Sequence, residues 1–436
     1  MMKKKFQLLG LAGIFILSLV VPLFGFQVKI DRDTFVNIAT KTRTFYLNED
    51  KDKTHNYRSN RIYVSKVRIT GKGQINKFVQ FYGIFDTYYD RKTDENPSSL
   101  EEAGVQFSFC PEFVVKFGKI RVPFSRHNFT ARHISPVMSG NGDSFLPDQF
   151  KTILKAIKPY PGRYKASDPF KKTDLGIVIA GYIDNGLFKY YLGFFNEDRS
   201  ISNKVWTLAR GWANATTVES VKDKKGFEYD IRIEFTPTFL GFKSEKTPLY
   251  VAMREAQTYL GKFDTFTIGV GYHHEKHLNG LNTATYGMSS LTRHGWDADF
   301  SLEKTFAQKY ITGLEAGYMN FHNTHLYETA PNIYKKGDSW TWYLGGHLIY
   351  GKKMGMGYPG IAFRYEYIEI DGKYHNENNL AYDRYGICFD YWFSRGTRIA
   401  VGIDFVNAKD ALKKYLKANH YKYATATWYM GVFTKF

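Results

Sequence analysis

Between Arg121 and Lys172 the chain sets ten cationic side chains (Arg121, Arg126, Arg132, Lys151, Lys155, Lys158, Arg163, Lys165, Lys171 and Lys172) against three acids, Asp143, Asp148 and Asp168. Guanidinium and ammonium groups at this density do not cleave or transfer anything by themselves. Their chemistry is to replace part of an anion's hydration shell. His127 and His133 add charge in mild acid. A second cluster, His273-His274-Glu275-Lys276-His277, offers metal donors, but it lacks the His-Glu-x-x-His spacing of zinc proteases and falls at the edge of a long loop. It reads as a surface histidine cluster. There is no Walker loop, nucleophile elbow or Cys-x-x-Cys, so no catalytic residue, metal or cofactor is expected. Cys110 and Cys388 are far apart in sequence, and incidental packing is the simpler reading, with a disulfide left open.

The elements that must position the basic run have period two. In Phe227–Phe235 the odd positions are aromatic or aliphatic and every even position is charged. The same alternation recurs over 294–305, 382–393 and 397–407, which is the pattern of strands with one dry and one wet face. Strands are expected near 33–47, 57–70, 75–89, 100–109, 113–120, 174–183, 187–196, 227–236, 263–274, 294–305, 310–323, 338–350, 358–370, 382–393, 397–407 and 421–436. They are longer than ordinary strands and suit a tilted membrane crossing. Short connectors alternate with long ones, as in an outer-membrane barrel with turns on one rim and loops on the other. One connector breaks the rule. Residues 237–262 are too long for a turn, and either form a structured excursion or hide another hairpin, which would make eighteen strands instead of sixteen.

Composition agrees with an exported all-β chain. Its 436 residues carry 60 Lys+Arg against 42 Asp+Glu, a net charge of +18, with 33 Tyr and 36 Phe. The negative mean hydropathy of -0.39 argues against a helical membrane protein. Lys3, Lys4 and Lys5 precede an apolar run ending near Pro22 and Gly25, so 1–25 reads as a secretory signal peptide and 26–436 as the mature barrel. Export makes nucleic acid an improbable partner. The last strand alternates through Trp428, Met430 and Val432 to a terminal Phe436, which resembles the signal read by the bacterial barrel-assembly machinery. The expected fold is therefore a closed transmembrane antiparallel barrel in the bacterial outer membrane, apolar residues facing lipid and charged ones facing water.

Phe117-Gly118-Lys119-Ile120-Arg121-Val122-Pro123-Phe124-Ser125 resembles the passage into the third loop of the phosphate-selective porin O and P family. Gly186–Asn196 resembles the family's following hairpin, and Arg232 to Pro237 its next strand end; Glu197 stands where family members usually carry Gly. The sharp matches cover only short pieces of 30–436. The resemblance implies a homotrimeric sixteen-stranded barrel whose third loop, 121–173, folds inward, and a basic lumen that passes small anions such as phosphate by passive diffusion. Arg121, Arg126, Arg132, Lys151, Lys155 and Lys158 are the expected constriction residues, with Arg232, Arg364, Arg384 and Arg398 as a secondary lumen track. Two other readings stay open. The basic loop can simply face solvent or bridge lipopolysaccharide phosphates, and strand arginines beside Asp230, Glu234 or Asp390 can be wall salt bridges. A lipase-like barrel enzyme and a non-conducting adhesin or structural barrel are the rival functions.

Overall fold

A computed structural model of the chain describes residues 26–50, 58–87, 98–130, 173–196, 204–208, 214–217, 227–279, 290–330, 333–374, 377–418, 420 and 422–435. The expected signal segment 1–25 and the terminal Phe436 lie outside them. The strands are β1 (Phe26–Lys29), β2 (Phe35–Asp50), β3 (Arg58–Gln74), β4 (Val79–Thr87), β5 (Ser98–Cys110), β6 (Phe113–Arg121), β7 (Thr173–Ile183), β8 (Phe188–Asn196), β9 (Lys204–Leu208), β10 (Asn214–Thr217), β11 (Phe227–Phe235), β12 (Thr265–Asn279), β13 (Ser290–Phe306), β14 (Tyr310–Ala330), β15 (Ile333–Tyr350), β16 (Tyr358–Tyr374), β17 (Glu377–Ser394), β18 (Thr397–Lys409) and β19 (Ala424–Lys435). Among the described residues two helices join them, a single turn α1 (Arg126–Phe129) and α2 (Asp410–Ala418).

Sixteen of the strands, β2–β8 and β11–β19, form a closed antiparallel barrel, with β8 pairing β11 and β19 closing on β2. Closure leaves no strand edge to lipid, which is what a spanning backbone requires. The other three strands are accessory. β1 pairs antiparallel with the start of β2, and β9 of the β9–β10 hairpin meets β14 in parallel at Leu326 and Tyr327.

The eighteen-strand alternative is overturned. Residues 237–262 contain no strand, only two single 3-10 turns, Thr238–Leu240 and Thr247–Leu249. Pro248 lacks the donor a ladder needs. The carbonyls of Pro248, Leu249 and Tyr250 accept from the side chains of Lys116 and Gln106 instead of from a neighbouring strand. The observed strands also outrun their expected bounds on the loop side, where β14 reaches 21 residues and β15 reaches 18.

The two faces sort as the alternation requires. In β11, Phe227, Tyr229, Ile231 and Ile233 are exposed on the outside, while Glu228, Asp230, Arg232 and Glu234 are buried within. Outward aromatics stack across strands, Trp296 on Tyr318 at 5.0 Å and Trp342 on Tyr365 at 4.6 Å, and Phe78, Phe107, Phe109 and Phe113 gather by the short turns. Such aromatic groups suit the two membrane interfaces. Both cysteines are free, Cys110 exposed and Cys388 buried, so no disulfide links them.

Candidate pore constriction

Two segments enter the barrel from opposite rims and meet inside it. The first is the described start of the long basic connector, 121–130, every residue of which is buried. Close approach is possible because Gly271 and Gly193 face it: a Cβ on Gly271 would collide with the Phe124 carbonyl, and one on Gly193 would press Pro123 at 3.1 Å. Phe124 packs on Phe321 and Phe129 on Tyr191, with Val122, Met253 and Met319 completing an apolar cluster inside the lumen. Burying these side chains seats the segment without any covalent tether.

The second segment is 237–262. Its chain meets the first at a parallel bridge between Thr130 and Glu255, where the Glu255 N–H donates to the Phe129 carbonyl at 3.1 Å. It is pinned to the wall from several sides. Lys116 Nζ donates to the Pro248 carbonyl at 2.7 Å, and the N–H groups of Tyr259 and Gly261 donate to Glu303 at 2.8 and 3.0 Å.

Arg126 ties the two segments together. Its guanidinium donates to Glu245 at 2.7 and 3.0 Å, to Glu255 at 2.9 Å and to the Ala256 carbonyl at 2.9 Å, while its backbone N–H reaches Asp299 at 3.0 Å. Despite burial, the carboxylates of Glu245 and Glu255 hold the guanidinium charged, raising its pKa well above the usual value. Glu255 is pushed up to about 8, first by burial and then by the charges of Glu234 and Glu245, which outweigh Arg126 and Lys189. A proton on Glu255 near neutrality leaves the junction more positive than its formal charges suggest.

The profile of one family, described as phosphate-selective porin O and P, matches residues 36–289. That span is more than half of the chain. The chain belongs to the phosphate-selective porin O and P family. No curated protein sequence matches it. Among solved structures, an anion-selective porin from Comamonas acidovorans is similar at 9% identity and a TM-score of 0.51, covering 93% of this chain and 100% of that one. OmpT, an outer membrane protein of Vibrio cholerae, folded in vitro and in trimer form, aligns at 10% identity with a TM-score of 0.47, over 93% of this chain and 100% of that one. The protein is therefore a β-barrel porin of the bacterial outer membrane.

The porin's expected constriction residues divide sharply. Arg132, Lys151, Lys155 and Lys158 lie outside the described residues. Arg121 and Arg126 are buried inside the barrel, and both are spoken for: Arg121 pairs with Glu102 at 3.1 Å and donates to the Asn128 carbonyl. The secondary track is paired as well. Arg232 holds Glu234, Asp297 and Asp299 at 2.7, 3.1 and 2.9 Å. Arg364 holds Glu315 and Glu366 at 2.6 and 2.8 Å and donates to His127 at 3.1 Å. Arg384 binds Asp404 at 2.9 Å, and Arg398 binds Asp390 at 2.9 Å between the rings of Trp392 and Phe433. The wall-salt-bridge reading thus holds for Arg232 with Glu234 and for Arg398 with Asp390, whereas Asp230 turns to His273 instead.

Sequence reasoning missed a different set of cations. On the wall made by β19, β2 and β3, Lys435 stands opposite Lys41, Lys41 opposite Arg68, and Lys72 opposite Asn37, all on the inward face. Arg395, in the turn between β17 and β18, reaches over the ring of Tyr259 of the second segment, 4.6 Å from its centroid. Among the described residues Lys41, Lys72, Arg395 and Lys435 make no ion pair, and Lys72, Arg395 and Lys435 are exposed. Lys435 feels the positive charges of Arg395 and Lys72. A signal was available. Lys435 and Lys41 occupy wet positions of expected strands, but closure, which makes them neighbours, is invisible along the chain.

Proposed function

We propose that this porin is a passive, non-enzymatic channel that prefers small anions such as phosphate. The observation that carries the reading is the group Lys41, Lys72, Arg395 and Lys435 at the short-turn mouth, exposed except for half-buried Lys41, with no acid paired to it among the described residues. Like charges held together in a narrow, low-dielectric opening raise local anion concentration and repel cations. Several weak sites in series let an ion move on, where one tight site would trap it. The basic stretch 121–173 supplies the entry side of the same path, with Arg132, Lys151, Lys155 and Lys158 as its proposed contacts and the third loop folded inward as its frame. Assembly as a homotrimer, lipid and lipopolysaccharide contacts around the outward aromatics, and insertion by the barrel-assembly machinery through Phe436 complete the proposal.

Reversal potentials across planar bilayers under a salt gradient test it. Anions are expected to permeate more readily than cations at neutral pH, and inorganic phosphate is expected to reduce chloride current. Cation preference would overturn the reading.

A further inference from the structure

Deep in the wall of β11 and β12 lies a cluster that the transport reading does not use. The register sets Asp230 directly opposite His273, with Glu228 two residues along the same inward face. The sequence suggested a surface histidine cluster here. Instead His273 is wholly buried, while His274, on the opposite face, is partly exposed; the side chain of His277 lies outside those described. His273 Nδ1 lies 2.8 Å from Asp230 Oδ1 and 3.8 Å from Glu228 Oε1, and one donor atom from each of the three residues falls within 4.8 Å of the others.

We propose that Glu228, Asp230 and His273 bind one first-row divalent cation of the zinc or manganese type. Three features support it. First, the separations suit shared coordination: donors about 2.0–2.2 Å from such an ion stand roughly 3–3.5 Å apart, so only small side-chain shifts are needed. Second, the outer shell is present. His273 Nε2 points towards Glu275 Oε1 at 3.9 Å, and Glu275 is in turn held by Arg293. A carboxylate behind the far ring nitrogen, once the ring shifts onto an ion and brings Nε2 within hydrogen-bond reach, would fix the tautomer whose Nδ1 lone pair faces the metal in place of its present 2.8 Å contact with Asp230. Third, the carboxylates lack the partner their neighbours have. Asp299, Glu234 and Asp86 each hold a Lys or Arg. Among the described residues Glu228 and Asp230 hold neither, and Glu228 Oε1 and Asp230 Oδ2, both fully buried, accept no hydrogen bond. Two adjacent buried carboxylates with only the His273 imidazole between them are costly, and a divalent ion relieves that cost. The imidazole donor favours zinc or manganese over magnesium or calcium, which take oxygen shells. The His273 ring also packs edge-on against Phe124 at 6.1 Å, so a bound ion would stiffen the seat of the first inbound segment.

The test uses the full-length barrel purified in detergent, stripped with a chelator and dialysed against Zn2+ or Mn2+. About one equivalent per chain is expected, with the unfolding temperature of the barrel raised by the metal. Glu228→Gln combined with Asp230→Asn should abolish binding, and Glu275→Gln should weaken it by ~10-fold or more. Binding no greater than background, or equal in the double variant, would overturn the proposal; the first result would mean that the two carboxylates share a proton. If the variants fail to insert, Mn2+-loaded wild type decides. A directly bound imidazole nitrogen in its electron spin resonance supports the site, and its absence sinks it.

Discussion

The two sides of the lumen carry similar kinds of charge and put them to opposite uses. On the β11–β17 side, Arg232, Arg364 and Arg384 are each clasped by carboxylates, and with Arg126 they form a lattice that locks two inbound segments to the wall. On the β19–β2–β3 side, Lys41, Lys72 and Lys435 lie on the inward face without an acid paired to them among the described residues. The first side spends its charge on shape, while the second leaves it available to solute. A count of basic residues therefore overstates what an anion can meet, because a guanidinium satisfied by two carboxylates offers it little field.

Four experiments sharpen or break that contrast. Arg126→Met should have the largest effect, since it leaves Glu245 buried without the guanidinium that pairs with it and Glu255 with only Lys189 at 3.6 Å. A destabilisation of about 3–5 kcal/mol is expected, read from barrel unfolding, together with raised single-channel conductance as the two segments part. Gly271→Ala should cost ~1–3 kcal/mol by driving a methyl group into the Phe124 carbonyl, again with altered conductance. Lys41→Gln with Lys435→Gln should leave unfolding within about 0.5 kcal/mol of wild type, because neither side chain makes an ion pair among the described residues. The anion-to-cation permeability ratio of the same variant should fall by about threefold or more. If it unfolds like Arg126→Met and keeps its selectivity, the division between the two sides is wrong.

The smallest effect concerns pH. Glu255 rises from an ordinary 4.5 to about 8, so the folded barrel holds this proton more tightly than the unfolded chain. Its stabilising contribution is complete below the unfolded value and is lost as pH climbs through about 8. Ionisation there also makes the junction more negative. Anion preference should decline modestly over that range in wild type, and Glu255→Gln should flatten the decline in reversal-potential measurements.

Much of the barrel was legible from residue order. The strand rhythm, the sixteen-fold count and the inward or outward sense of Phe227–Phe235 follow from period two, because lipid on one side and water on the other impose that period directly. The excursion at 237–262 was visible only as an anomaly. Its partners, Lys116 and Gln106, stand more than a hundred residues earlier, and no local pattern names them. The rim extensions of β14 and β15 were missed for another reason: beyond the membrane both faces are wet, and alternation stops marking the strand. His273 was misplaced because its neighbours in sequence are polar, while its neighbours in space are Asp230 and Phe124.

Sequence alone determined that this chain must close into an outer-membrane barrel with a basic connector, since unpaired backbone cannot rest in hydrocarbon and the alternation leaves one arrangement for the charges. Which charges remain free was decided only by the tertiary structure. Pairing depends on strands brought side by side by closure and on segments entering from both rims, and electrostatic neutralisation acts over a few ångströms of space, whatever the distance along the chain.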